Sequence, residues 1–218
     1  MNAAACAALG YLIGTINPAF LFSKLKGFDI RERGSGNAGA TNVMLTVGKV
    51  AGVLCAMLDI LKAFCAYRLG KRLFPLLQFA GILAGACCIL GHIFPVWMGF
   101  QGGKGLACIG GVVLAHSWKL FLVMLAFEIA ITLTVNYICA MAMSACTIFT
   151  IVYAVTTHDW IGTIALAVVT VVVHLKHVEN IKRIMQGTEF HVSYLWDKEA
   201  EIARVTKILG DDRVHELV

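Results

Sequence analysis

Seven apolar stretches, at 3–23, 50–67, 76–100, 106–116, 119–135, 137–155 and 160–175, take up most of this 218-residue chain. About 20 apolar residues in a helix cross the hydrocarbon layer of a bilayer. Inside that layer every backbone N–H and C=O must be satisfied within its own segment or a closed barrel. Runs this long, without the two-residue alternation of a barrel strand, predict an all-α, polytopic membrane protein of about seven transmembrane helices. Charged residues make up 14% of the chain, against about 25% in a soluble domain. The first run is not read as a cleavable signal peptide, because no basic residue precedes it and its apolar core is too long.

Orientation follows from Lys and Arg in the connecting loops. The first loop carries Lys24, Lys26, Arg31, Arg33 and Lys49, and the N-terminal side carries none. Seven spans then place the N-terminus outside and the C-terminus in the cytoplasm. Thirteen Lys and Arg fall on the cytoplasmic side and four outside, with Lys62 inside the second span. The net charge of +5 is accounted for by that asymmetry and calls for no nucleic-acid partner. The eight cysteines lie in or beside apolar segments without zinc-like spacing, and read as small buried hydrophobes. Residues 1–189 form one integral-membrane domain on this reading. Residues 190–218 form a charged, amphipathic cytoplasmic tail, with Tyr194 and Trp196 as interfacial anchors.

Three polar islands interrupt the apolar chain, and the charge-derived topology puts all of them on one side. The first, RERGSGNAGATN at 31–42, alternates Gly34, Gly36 and Gly39 with Ser35, Asn37, Thr41 and Asn42. Glycine lets a backbone turn tightly toward a ligand, and successive N–H groups in such a turn make an anion site. The competing reading is a flexible polar connector. The second island, QGGKG at 101–105, precedes an apolar helix whose first N–H groups favour an anion. Lys104 adds a mobile positive charge; Gly102, Gly103 and Gly105 surround it. With no Ser or Thr after Lys104 this is not a Walker A loop, so ATP is not implied. The third, HVENIKRIMQGTE at 177–189, sets His177 and Asn180 on one helix face. Gly187 stops the helix, leaving Thr188 and Glu189 in a turn. His174, His177 and Glu179 lack the second carboxylate–histidine set that a metal site calls for, so no metal is expected.

Three charges fall inside the apolar runs. Each costs about 2.5–3.5 kcal/mol at the bilayer centre and must face the bundle interior. Asp59 and Lys62, three apart, are read as a structural pair. Glu128 has no evident partner in the sequence.

GSGNAGATNV at 34–43, GHIFPVWMGFQGGKG at 91–105 and HVENIKRIMQGTE at 177–189, in this order, resemble the three signature motifs of the bacterial acyl-phosphate-dependent glycerol-3-phosphate acyltransferases, the PlsY family. The resemblance spans roughly residues 9–189. It implies a seven-helix membrane enzyme with its motifs at the cytoplasmic face of the bacterial cell membrane. Its substrates would be acyl phosphate and glycerol 3-phosphate, with membrane lipid around it and no cofactor or metal. The products would be 1-acyl-glycerol 3-phosphate and phosphate. Carried over by position, Lys104, His177 and Asn180 would be catalytic. Ser35, Gly36, Asn37, Gly39, Thr41, Asn42, Gly102, Gly103, Gly105, Gly187, Thr188 and Glu189 would bind substrate. The chain departs from the family pattern at Leu45, where an arginine is usual, and at Asn136 and Cys139, which stand for an arginine and a serine. Ala38 replaces a frequent proline. Lys49, Arg31 or Arg33 could supply the missing charge. A different acyl acceptor, reduced activity, and a non-enzymatic carrier for a small anion are the alternatives these residues leave open.

Overall fold

The computed structural model describes residues 2–209. Ten α-helices occur among them, with no strand. They are α1 (Ala3–Gly14), α2 (Pro18–Leu25), α3 (Ala40–Thr46), α4 (Lys49–Leu73), α5 (Ala80–Ile93), α6 (Leu106–His116), α7 (Trp118–Val135), α8 (Ile138–Thr157), α9 (Trp160–Met185) and α10 (Lys198–Leu209). Six segments are long and apolar enough to cross a membrane: Ala3–Leu25, Lys49–Leu73, Ala80–Met98, Trp118–Val135, Ile138–Thr157 and Trp160–Met185. Helix α6 is apolar but has only 11 residues, about 16 Å of rise, roughly half the hydrocarbon thickness. It packs against α4, with the Cβ-less Gly111 lying over the Ile60 carbonyl.

The first apolar run is not one helix. It breaks at Thr15–Asn17, where Asn17 caps α2 by accepting from the Phe20 N–H (2.8 Å) and Pro18 takes the first helical position. Hydropathy alone hides this break, because Ile16 and Ala19 keep the window apolar. The freed polar groups are satisfied by distant residues. Thr15 Oγ1 accepts from the Trp97 indole (2.7 Å), the Ile16 carbonyl accepts from Lys62 Nζ (2.5 Å), and Asn17 Nδ2 donates to the Ala38 carbonyl (3.1 Å). Irregular backbone at such a depth is stable only when buried polar groups complete it.

Lys62 therefore does more than pair with Asp59. Its ammonium lies 2.7 Å from Asp59 Oδ1 and 3.0 Å from His92 Nδ1, as well as on the Ile16 carbonyl. All three side chains are buried. Glu128 also has a partner the sequence does not reveal: Ser144, one helix away on α8, donates its hydroxyl to Glu128 Oε2. The main core is built of small and branched side chains from α4, α5, α6, α8 and α9, among them Ala63, Ile89, Val112, Phe149 and Val169. The outward faces of α4, α7 and α9 expose Leu61, Val123 and Ile164, as a lipid-facing surface requires.

Helix α9 runs past the apolar stretch to Met185, so His177 and Asn180 sit on its last turns. Gly187, at φ +71°, takes the left-handed conformation that ends the helix, a geometry glycine adopts at little cost. The tail folds back over this end. Tyr194, expected as an interfacial anchor, is buried, while Trp196 is exposed.

Candidate active site

The three islands meet at one end of the bundle. Asn42, wholly buried, organises the first. Its Oδ1 accepts from the Ser35 N–H (2.9 Å), and its Nδ2 donates to the carbonyls of Ile30 (3.0 Å) and Arg33 (2.9 Å). With its amide engaged on both sides, Asn42 shapes the loop from within, whereas Ser35 and Asn37 are partly exposed and Gly36 and Thr41 exposed. Gly39 lies against the Asn37 side chain, whose Nδ2 would be 2.8 Å from an added Cβ. Arg31 forks onto Asp29 (2.9 and 2.7 Å) and donates to the Met98 carbonyl (2.7 Å). The Arg31 guanidinium holds the Asp29 carboxyl well below the usual carboxylate range. Arg31 is thus committed to joining the first island to the start of the second. Arg33 is exposed and stacks over Phe28, 4.4 Å from the ring centre.

The second island is docked on the end of α5. Gly102 and Gly103 donate their N–H groups to the carbonyls of Ile93 (3.0 Å) and His92 (3.1 Å). Gly103 admits no side chain: a Cβ there would lie 2.2 Å from His92 Nε2 and 2.9 Å from the Ala38 carbonyl. That close approach is where the first and second islands touch. Because the Gly102 and Gly103 amides are used internally, the donors this island leaves are the Lys104 ammonium and the opening N–H groups of α6, which have no intrahelical partner.

Lys104 joins the second island to the third. Its ammonium donates to Asn180 Oδ1; Asn180 Nδ2 donates to Glu189 Oε1 (2.5 Å); and Arg183 Nε donates to Glu189 Oε2 (2.7 Å). Burial, with the nearby Arg183 charge, lowers the Lys104 pKa to about 8. His177, buried one turn before Asn180, donates from Nδ1 to the Val173 carbonyl (2.7 Å), which leaves Nε2 as the ring's acceptor. Lys104 and Glu189 both lie within electrostatic reach of that ring. Thr188 is buried in the turn, its N–H on the Arg183 carbonyl (2.8 Å).

The sequence reading did not single out Arg183 or His92. The signal that points to Arg183 is its place in HVENIKRIMQGTE. His92, a lone polar residue in the apolar run ahead of QGGKG, was the signal for the buried cluster. Asp59, His92 and Cys108 bring one possible metal-ligand atom each within 4.8 Å of one another. The cationic position among them is already taken by Lys62 Nζ.

An apolar groove of about 500 Å³ opens between α7, α8 and α9, lined by Ile131, Val135, Met143, Ile148, Ile181 and Ile184. It also takes in Tyr137, Cys139, Ser144 and His174.

These features define a helical integral-membrane protein with a cation-bearing, glycine-built polar site at one end of its bundle and an apolar groove beside it. Residues 4–187 match the family described as glycerol-3-phosphate acyltransferase, and the chain belongs to that family. It is 39% identical over 191 residues to the glycerol-3-phosphate acyltransferase of Bacillus subtilis strain 168, covering 86% of this chain and 96% of the relative. It is 35% identical over 193 residues to that of Rhizobium etli strain CFN 42, covering 86% and 90%. Among solved structures it resembles PlsY, described as an integral membrane glycerol 3-phosphate acyltransferase. The glycerol 3-phosphate form aligns with a TM-score of 0.81 at 33% identity, over 89% of this chain and 98% of that one. The lysophosphatidic acid form aligns at 0.78 and 32%, over 89% and 97%. The chain is thus a membrane acyltransferase of phospholipid biosynthesis.

Proposed function

We propose that this protein transfers an acyl chain from acyl phosphate to the sn-1 hydroxyl of glycerol 3-phosphate, yielding 1-acyl-glycerol 3-phosphate and inorganic phosphate at the cytoplasmic face of the membrane. The observation that carries the reading is the hydrogen-bonded line Lys104–Asn180–Glu189–Arg183, which holds a cation of the glycine loop against the third island.

An acyl phosphate is a mixed anhydride with a good leaving group, so no covalent nucleophile is needed. The acceptor oxygen attacks the carbonyl carbon, the carbon–oxygen bond to phosphate breaks, and the hydroxyl proton must leave. Lys104 and the first N–H groups of α6 would neutralise charge on the departing phosphate and the carbonyl oxygen. Gly102, Gly103 and Gly105 let the loop lie this close to α5. His177, with Nε2 free to accept, would orient the acceptor hydroxyl or take its proton, directly or through the acceptor's own phosphate. Asn180 and Glu189 would hold Lys104 in place. Ser35, Gly36, Asn37, Gly39 and Thr41 would face the acceptor, with Asn42 shaping their loop; Gly187 and Thr188 would set the turn that carries Glu189. The acyl tail would occupy the groove between α7, α8 and α9. Such positioning supplies about 7–11 kcal/mol of barrier lowering in well-oriented reactions. The chemistry needs no cofactor or metal.

The deciding experiment is release of lysophosphatidate by the purified protein from acyl phosphate and glycerol 3-phosphate, with acyl-CoA as the contrasting donor. No transfer from acyl phosphate would defeat the reading. A second reading, an acceptor other than glycerol 3-phosphate, is favoured by the partly buried, uncharged Leu45 and by the commitment of Arg31 to Asp29. Under it, Leu45→Arg raises glycerol 3-phosphate use while the native protein prefers a less anionic alcohol.

A further inference from the structure

The family match ends at Gly187, and α10 lies wholly beyond it. The helix is nevertheless built into the site's last turn. Arg204, near its centre, donates from Nη1 to the Gly187 carbonyl (2.5 Å) and from Nη2 to the Glu189 carbonyl (2.6 Å). These carbonyls follow the end of α9, where the helix no longer supplies partners. A planar guanidinium meets both at once from two separate nitrogens held in a fixed fork. Arg204 is itself held by Glu201 Oε2, at 3.2 Å from Nε and 3.0 Å from Nη2.

Glu201 is the hub of the attachment. Buried at 7% exposure, it also accepts from the His191 N–H (3.1 Å), from His191 Nδ1 (2.9 Å) and from Ser193 Oγ (3.2 Å). Burial opposes its ionisation, but the bonds from Arg204 and His191 bring its carboxyl down to about 2. Two further bonds tie the same segment to the turn between α7 and α8. His191 Nε2 lies 3.1 Å from the Tyr137 hydroxyl, and the Val192 N–H donates to the Asn136 carbonyl (2.9 Å). Val205 is fully buried, and Ile208 lies over Gly187.

We propose that residues 190–209 act as a clamp on the third island, with Arg204 as a positioning residue that sets Glu189, and through it Asn180 and Lys104, for acyl transfer. The inference rests on the acyltransferase reading above. Arg204 touches no substrate. It fixes the 187–188 and 189–190 peptide planes, which bracket Thr188 and Glu189, and so the point from which the Glu189 side chain starts. The Glu189 carboxylate then aligns Asn180, whose Oδ1 receives the Lys104 ammonium. Without Arg204 the turn is anchored through the Thr188 and Glu189 N–H bonds to the Arg183 carbonyl (2.8 and 3.2 Å), and its two outer carbonyls lose their fork.

The test uses the full chain with Arg204→Ala, Arg204→Lys and, as a control on the exposed side of α10, Lys207→Ala. It reads kcat and KM with acyl phosphate and glycerol 3-phosphate, and hydrogen exchange of amides 188–192. Small displacements of a positioned group cost up to about 100-fold. Arg204→Ala is expected to lower kcat by about 10- to 100-fold, with a smaller change in KM and faster exchange at 188–192. Arg204→Lys recovers part of both, and Lys207→Ala matches the native protein. Native exchange at 188–192 in Arg204→Ala overturns the clamp whatever the activity does, and so does a native kcat. If Arg204→Ala does not fold, Arg204→Lys is read by the same criteria. Absence of acyl transfer by the native protein would defeat the acyltransferase reading, and the exchange measurement would still decide whether Arg204 holds the turn.

Discussion

Two lysine-centred networks lie close together in this bundle, and they differ in one respect. Lys62, Asp59 and His92 are all buried, and the lysine also holds the carbonyl left free where the first span breaks. Lys104, Asn180, Glu189 and Arg183 use similar chemistry, but Lys104 and Glu189 remain partly exposed at the bundle end. A cation enclosed by protein partners on every side can stabilise a fold but has nothing to offer a substrate. A cation with an open side, and a pKa pulled down to about 8 by burial, can. The position of the water boundary, more than the residue types, separates the structural network from the one assigned to chemistry.

The largest expected effect tests the enclosed network. Lys62→Ala leaves Asp59 and the Ile16 carbonyl without their cation, and removing one partner of a buried pair costs about 3–5 kcal/mol. Thermal unfolding in detergent should show this loss, and Lys62→Met with Asp59→Asn should restore much of it. If Lys62→Ala kept native stability and lost only activity, the two networks would have to exchange roles.

Next comes the open network. Lys104→Ala should lower acyl transfer by about 100- to 1000-fold, the range for losing one transition-state donor, with the unfolding temperature unchanged. Full activity would remove Lys104 from the mechanism.

A third test reads Lys104 through its proton. The ammonium is present below pH 8 and is lost as pH rises through that value. The logarithm of kcat/KM should therefore fall with unit slope above about pH 8, as it does for an essential protonated group of the free enzyme. Lys104→Arg, where active, should carry no such limb. The smallest effect belongs to the break in the first span. Trp97→Phe removes the indole bond to Thr15 and should cost about 1 kcal/mol in unfolding, with little change in kcat.

Much of this organisation could be read from residue order. Helix α6 spans 106–116 as its apolar run predicts, Gly187 ends α9 in the left-handed conformation expected of it, and Asp59 pairs with Lys62. Other features could not. The break at Thr15–Asn17 was masked by its apolar flanks, although Asn17-Pro18 carries the signature of a new helix start. The Glu128–Ser144 bond joins two helices, and no spacing rule relates residues across a helix pair. The third apolar run, read to residue 100, ends as regular helix at Ile93, because Pro95 and the glycines after it turn the chain back.

Composition and the order of apolar and polar runs were enough to decide that this chain is helical, lies in a membrane and sets three short polar islands between its apolar runs. Those properties come from local physics, since a backbone in hydrocarbon must close its own hydrogen bonds. Which donors each island uses up inside the protein was decided by packing alone. Asn42 and the Gly102 and Gly103 amides are used up inside the protein. Arg31 is spent on Asp29, and Arg204 reaches back to Gly187. A hydrogen-bonding group serves the first partner that folding brings within about 3 Å, and that partner is set by three-dimensional proximity, which no local pattern along the chain encodes.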